Sequence, residues 1–406
     1  MTERWRDVAA ACGLLDANGS AKPTIFAEMS ALAARTSAAN LGQGFPDEDG
    51  PKWIREVAIE AIRAGVNQYP PGRGTAELRQ AIAAHQARRY GIELDPDTEV
   101  LVTTGATEAL AAALLALTGP GDEVVTLEPF YDSHAACIAM AGATHVTVPL
   151  EPHDGGFRLD TDALRRAVGP RTRVILVNTP HNPTGTVLTR DELRAIAAEA
   201  QRVDAIVVTD EVYEHLVFDG AEHVPIASLP GMRERTLTIS SSGKTFSLTG
   251  WKIGWATGPA ALIDAMLAVK QFLTFTSGAP FQGAIAEALG ERGDADVTDL
   301  RDTLAFRRDL LLAGLQGAGF ATVRPDGTYF VCADASPFLS DEVADGAAFA
   351  RWLPGAIGVA CVPLSAFCRA GSPTASALAN WVRFTFVKRE DTLRTAIERL
   401  AGLRRG

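Results

Sequence analysis

At 406 residues the chain is long enough for two or three domains around a sizeable core, which excludes a peptide, a single small module or a disulfide-stapled scaffold. Its formal net charge of −11 argues against nucleic acid or an anionic membrane surface as a partner, and 47% hydrophobic with 21% charged residues marks a folded rather than a disordered chain. Cys12, Cys137, Cys332, Cys361 and Cys368 include no C-x-x-C pair, so they read as reduced thiols and not as a disulfide framework or zinc ribbon. No basic-then-apolar leader precedes Asp16, and no uncharged apolar run approaches the ~20 residues that a membrane helix needs, so a cytoplasmic location is expected.

Residues 1–45 hold no complete domain and are expected to pack against the C-terminal part. Strand and helix patterns then alternate. Residues 100–103 read as a buried strand running into Gly105 and an Ala/Leu helix that stops at Gly119-Pro120-Gly121, and residues 123–127 as the next strand. Residues 174–177 form another apolar strand, a helix follows from about 190 to 202, and strands recur at 205–209, 236–240 and 253–257. This alternation predicts an α/β large domain over 46–290, with a mostly parallel central sheet flanked by helices. Beyond it, a charged helix over 301–315, short strands at 328–333 and 382–387 and a terminal helix from about 391 predict a smaller, discontinuous α+β domain over 291–406. Ligands of parallel sheets sit at the carboxyl ends of the strands, which directs attention to Gly105, Asn178, Asp210 and Ser241.

Nucleotide and metal motifs fail. Ser242-Gly243-Lys244-Thr245 looks like the end of a phosphate-binding loop, but Thr238 stands where its first glycine is required. The seven histidines show no H-E-x-x-H spacing, so no metal is expected. Four other segments carry more chemistry. Thr103-Thr104-Gly105-Ala106-Thr107-Glu108 puts small residues at a helix start, where free N–H groups suit a phosphate, although taken alone a capped helix is the favoured reading. Asn178-Thr179-Pro180-His181-Asn182-Pro183-Thr184-Gly185 is a rigid loop that fixes amide side chains directly after a buried strand. Asp210 ends the next strand, with Tyr213 three residues on, and a carboxylate there needs a cationic or hydrogen-bonding partner. Lys244 lies in the Ser/Gly-rich stretch Ser240–Lys252. A lone lysine is usually solvated, but one at the same sheet edge as Asp210 becomes a Schiff-base nucleophile.

Together these segments resemble the fold-type I, class I/II pyridoxal-phosphate aminotransferases from about Ile25 to Arg389. Asn182-Pro183-Thr184-Gly185, Asp210-Glu211-Val212-Tyr213, Ser241-Ser242-Gly243-Lys244-Thr245-Phe246 and Gly250-Trp251-Lys252-Ile253-Gly254-Trp255 occur in that family's order. Asn40-Leu41-Gly42-Gln43-Gly44-Phe45-Pro46-Asp47, Asn67-Gln68-Tyr69-Pro70-Pro71-Gly72 and Gly105-Ala106-Thr107-Glu108-Ala109 look like the branch of kynurenine, methionine and glutamine aminotransferases, nearest to the actinobacterial N-succinyldiaminopimelate aminotransferases.

The resemblance implies pyridoxal 5'-phosphate held covalently by Lys244, which also moves the substrate α-proton. It places Asp210 at the pyridine nitrogen, Asn182 and Tyr213 at the 3' oxygen, and Tyr131 against the ring face. Ala106, Thr107, Ser241 and Lys252 would bind the phosphate, joined by Tyr69 of a neighbouring subunit, so a homodimer with shared active sites is expected. Arg383, in Trp381-Val382-Arg383-Phe384, would clamp the substrate α-carboxylate with help from Asn182 and Gly44. Arg73 and His134 depart from the branch's pattern, where proline and tyrosine are expected. Arg73 is read either as drift at a rim or as a contact for an extra carboxylate or phosphate on a larger substrate. The expected reaction is ping-pong transfer of the amino group of an L-amino acid, N-succinyl-diaminopimelate-like in one reading, to 2-oxoglutarate or another 2-oxo acid. The same residues would also start elimination, replacement, oxidation or carbon–carbon bond formation, while too few residues precede the resemblance to build a DNA-binding head.

Overall fold

The computed structural model describes residues 4–153 and 155–403. A short strand β1 (Ala39–Asn40) follows two N-terminal helices, Arg4–Ala11 and Ile25–Thr36. The large sheet is then built from β2 (Val100–Thr104), β3 (Glu123–Glu128), β4 (Thr144–His153), β5 (Gly156–Leu159), β6 (Thr172–Asn178), β7 (Ile206–Asp210), β8 (Thr236–Ser241) and β9 (Ile253–Thr257). Its spatial order is β2-β9-β8-β7-β6-β3-β4-β5. The pairs β8·β7, β7·β6, β6·β3 and β3·β4 are parallel, whereas β9 runs antiparallel to both of its neighbours and β5 folds back on β4 as a hairpin. The mostly parallel α/β sheet expected from the sequence is therefore present, with its reversed strand at the position that matters most for the site.

Strand periodicity explains why both faces of this sheet are covered. Successive side chains point to opposite faces, and the interior strands are apolar on both. Val174, Leu176, Val208, Leu237 and Ile239 pack against Leu110, Ala113 and Leu114 of the helix Gly105–Leu117. Ile175, Val177 and Val207 point the other way, into a core shared with Leu193 and Ile196 of the helix Arg190–Val203. That helix starts in a capping box, Thr189 with Glu192, and stops at Asp204 in the left-handed conformation. Among the described residues no helix is long and apolar enough to cross a membrane.

The second sheet joins β10 (Ala321–Val323), β11 (Phe330–Asp334), β13 (Val362–Pro363) and β14 (Trp381–Thr385) in the antiparallel order β10-β11-β14-β13. The intervening β12 (Val359–Ala360) pairs in parallel with β1, and the helix Ile25–Thr36 packs on the helix Gly346–Ile357, so residues 25–40 rest on C-terminal elements, whereas the first helix, Arg4–Ala11, packs on the helix Asp132–Ala141 between β3 and β4. The charged helix read over 301–315 is the second half of one continuous helix, Glu291–Ala318, which ends at Gly319 in the left-handed conformation. Its first two turns contain Gly293 and Asp294 among scattered charges, which conceals the apolar period there.

Candidate active site

Register brings the site together. Asn178 and Asp210 are opposite each other at the ends of β6 and β7, and β8 ends beside them at Ser241. Because β9 is antiparallel, its beginning lies at this same edge: Ile253 pairs with Thr104 and Gly254 with Ser241. Lys252, one residue upstream and itself in the left-handed conformation (φ 55°), therefore reaches the start of the helix Gly105–Leu117.

A cavity of about 370 Å³ opens at this edge. Gly44, Ala106, Thr107, Tyr131, Asn182 and Asp210 line it, and so do Tyr213, Ser241, Lys244, Lys252 and Arg383. Two sequence-derived candidates lie elsewhere. Tyr69 is 80% exposed, with its ring edge-on to Phe275 at 5.5 Å, and the Arg73 guanidinium is held by the Asp264 carboxylate and the Thr98 carbonyl.

One end of the cavity suits an oxyanion. Thr104 precedes the helix Gly105–Leu117 without a side-chain cap, leaving the first N–H groups free, and the Lys252 ammonium sits 3.5 Å from the Thr107 hydroxyl. Two glycines permit the approach. Gly105 has φ +72° and a Cβ there would stand 3.1 Å from Lys252 Cε, while a Cβ on Gly254 would fall 2.5 Å from the Gly105 carbonyl carbon.

Asp210 is 4% exposed and anchors the opposite side. His134 Nε2 lies 3.3 Å from its Oδ2, the Asn178 amide donates to its backbone carbonyl at 2.8 Å, and Asn178 Oδ1 accepts the Asn182 N–H at 2.8 Å. His134 thus acquires a specific partner, which its departure from the family pattern did not reveal. Burial pushes the Tyr131 and Tyr213 phenols up, Tyr213 also through neighbouring Tyr329, so both stay neutral donors across the physiological range.

Lys244 projects from the short turn Ser242–Thr245 and donates to the Tyr329 hydroxyl at 2.8 Å, which in turn donates to the Gly44 carbonyl at 2.5 Å. Tyr329 was not legible as a site residue: it precedes β11 in sequence, more than 80 residues from Lys244, and belongs to no chemical motif. Arg383 lies in the middle of β14, 1% exposed, with its guanidinium 3.8 Å from the Phe330 ring centroid and 4.6 Å from that of Phe367. It donates to Asn182 Oδ1 at 2.7 Å and to the Gly42 carbonyl at 3.1 Å, and its Nε has no hydrogen-bond partner among the described residues. Burial lowers its pKa to about 10, which leaves it charged at neutral pH. A buried cation with a free donor and, among the described residues, no carboxylate partner calls for an anionic ligand.

Comparisons with known proteins agree with this arrangement. Residues 36–400 match the family model "Aminotransferase class I and II". The chain is 58% identical over 384 residues to the probable N-succinyldiaminopimelate aminotransferase of Mycobacterium tuberculosis, covering 94% of this chain and 96% of that relative. It is 39% identical over 380 residues to the methionine aminotransferase of Escherichia coli, with 94% and 96% covered. Among solved structures, that of N-succinyldiaminopimelate aminotransferase from Mycobacterium tuberculosis superposes with a TM-score of 0.92 at 54% identity over 100% of both chains. The chain belongs to the class I and II aminotransferases and is a transaminase.

Proposed function

We propose that this aminotransferase works with pyridoxal 5'-phosphate and passes the amino group of an L-amino acid, N-succinyl-diaminopimelate-like in its side chain, to 2-oxoglutarate or another 2-oxo acid by a ping-pong mechanism. The observation that carries the reading is that Lys244 and the buried, incompletely paired Arg383 face one cavity whose far end is built for an oxyanion. When bound, the cofactor supplies a carbonyl that condenses with amines and a ring that takes up the electrons released at the substrate α-carbon.

The residues divide the work. Ala106, Thr107, Ser241 and Lys252 hold the phosphate, the anionic end of the group. Asp210, kept in place by His134 and Asn178, would pair with the pyridine nitrogen, Asn182 and Tyr213 would hold the 3' oxygen, and Tyr131 would lie against the ring. Lys244 Nζ would hold the cofactor and would take the proton from the substrate α-carbon; Tyr329 accepts a hydrogen bond from that amine. Arg383 takes the α-carboxylate of any amino acid, with Asn182 and Gly44 beside it, and leaves side-chain choice to the cavity rim.

A homodimer with shared sites belongs to the proposal. Tyr69 and Phe275 form an exposed aromatic pair at 80% and 44% exposure, of the kind that a partner subunit covers. Tyr69, outside its own cavity, is then free to reach a neighbouring phosphate site. Arg73, four residues on, has its guanidinium on Asp264 and the Thr98 carbonyl, which supports the reading of drift at a rim over that of a contact for an extra carboxylate on the substrate. The free thiols of Cys12, Cys137, Cys332, Cys361 and Cys368 support a reducing, cytoplasmic setting.

Steady-state kinetics with N-succinyl-diaminopimelate and 2-oxoglutarate test the assignment. Parallel double-reciprocal lines with strict oxo-acid dependence are expected. Turnover without any oxo acid would overturn it in favour of elimination or replacement chemistry.

A further inference from the structure

A buried polar layer lies behind the cavity, and most of its members stand one or two residues from a candidate site residue in the chain. Glu211 follows Asp210, Glu214 and His215 follow Tyr213, Ser240 precedes Ser241, and Thr245 follows Lys244. From the helix Ala76–Tyr90, His85 enters the layer, with Nε2 2.8 Å from His215 Nε2; His215 Nδ1 lies 3.1 Å from Thr245 Oγ1, and the Thr245 hydroxyl donates to the Ser241 carbonyl at 3.4 Å. Glu214 Oε1 accepts from Ser240 at 2.5 Å. His85, His215 and Thr245 are 2%, 6% and 2% exposed.

The proton positions follow from the chain's end. With its hydrogen committed to the Ser241 carbonyl, Thr245 Oγ1 accepts from His215 Nδ1–H, which leaves His215 Nε2 as the acceptor for His85 Nε2–H. His85 Nδ1 is then a bare lone pair, in agreement with its having no partner among the described residues. Burial keeps both imidazoles neutral, His85 at about 4 and His215 at about 3.

We propose that His85 and His215 are positioning residues for the aminotransferase reaction: the one-way hydrogen-bond chain His85→His215→Thr245→Ser241 clamps the turn Ser242–Thr245 from behind and so fixes where Lys244 presents its amine. The inference rests on the reading of Lys244 as the cofactor-bearing residue. His85, His215 and Glu214 are also the kinds of side chain that bind a metal, with candidate ligand atoms within 4.8 Å of one another. The two facing nitrogens, 2.8 Å apart, are at hydrogen-bond distance and closer than the about 3.3 Å expected for two ligands of one tetrahedral ion.

The test compares cofactor-loaded wild type with His215→Leu, His215→Asn and Thr245→Val, measuring the pH titration of the Lys244-dependent absorbance, kcat and KM separately, melting temperature and bound zinc. His215→Leu and Thr245→Val should shift the titration midpoint by about half a unit or more. They should lower kcat roughly tenfold, less than the ~100-fold that a 1 Å misplacement can cost, with KM nearly unchanged. His215→Asn keeps an N–H where Nδ1 stood but leaves His85 without its acceptor, so it should fall between His215→Leu and wild type. If His215→Leu does not fold, the nearly isosteric Thr245→Val still breaks the chain at its last side chain. Equal losses in the Asn and Leu variants, a fall in melting temperature with midpoint and kcat unmoved, or stoichiometric zinc in wild type would overturn the proposal while leaving the Lys244 reading intact. A wild-type protein without Lys244-dependent absorbance would overturn both.

Discussion

Replacing Arg383 by lysine keeps a positive charge but removes the planar fork and the stacking on Phe330 and Phe367. In the structure two of its nitrogens already serve Asn182 and the Gly42 carbonyl, while Nε is buried and free, so any carboxylate that enters meets a fixed and desolvated donor. Hydrogen bonds to charged groups contribute about 1.5–3 kcal/mol each, so loss of a two-bond clamp costs about 3–6 kcal/mol, or roughly 10²- to 10⁴-fold in kcat/KM. The assay compares kcat/KM for an amino-acid donor with that for the matching primary amine, which lacks the α-carboxylate. Arg383→Lys should lose the full factor on the amino acid and little on the amine. Equal losses on both, or an unchanged constant for the amino acid, would refute the clamp.

Three further changes probe other parts of the molecule. Gly254→Ala places a methyl 2.5 Å from the Gly105 carbonyl carbon and 2.7 Å from the Ala106 nitrogen, so it should weaken cofactor binding at least tenfold, measured by equilibrium dialysis, through displacement of the helix start, a strain of about 1–3 kcal/mol. The Arg308 and Arg324 guanidiniums hold the Asp219 carboxyl down to about 2, below its unfolded value. Asp219 therefore stabilises the fold above about pH 4 and loses that contribution as pH falls towards 2. In thermal melts the gap between wild type and Asp219→Asn should close over that window, and it should be small because the carboxylate is half-exposed. Arg73→Ala breaks the pair with Asp264, and with its guanidinium so engaged it should leave relative KM values for mono- and dicarboxylic donors unchanged. A selective rise in KM for the larger donor would instead show that Arg73 reads the substrate.

Much of this architecture was legible because it is local. Apolar runs ending in Gly105, Asn178, Asp210 and Ser241 marked strands whose carboxyl ends share an edge, and the cavity lies there. Contacts made by topology were hidden. β9 follows the connection formed by residues 242–252 and runs against its neighbours, yet nothing in Ile253–Thr257 announces its direction; that reversal is what carries Lys252 to the helix start. Tyr329 meets Lys244, and His134 meets Asp210, across sequence gaps of 85 and 76 residues, where only packing decides partners. The hairpin β4–β5 escaped for another reason. Thr144–His153 carries two prolines and partly exposed alternate residues, so its strand signal is weak.

The most direct test of the account is a single-turnover absorbance spectrum of purified, cofactor-loaded protein mixed with glutamate in the absence of any oxo acid, with Lys244→Ala as the control. The account predicts stoichiometric loss of the Lys244-dependent band and appearance of the amino form of the cofactor, reversed on adding 2-oxoglutarate. A band that persists with glutamate and with every other amino-acid donor would contradict amino transfer at this site.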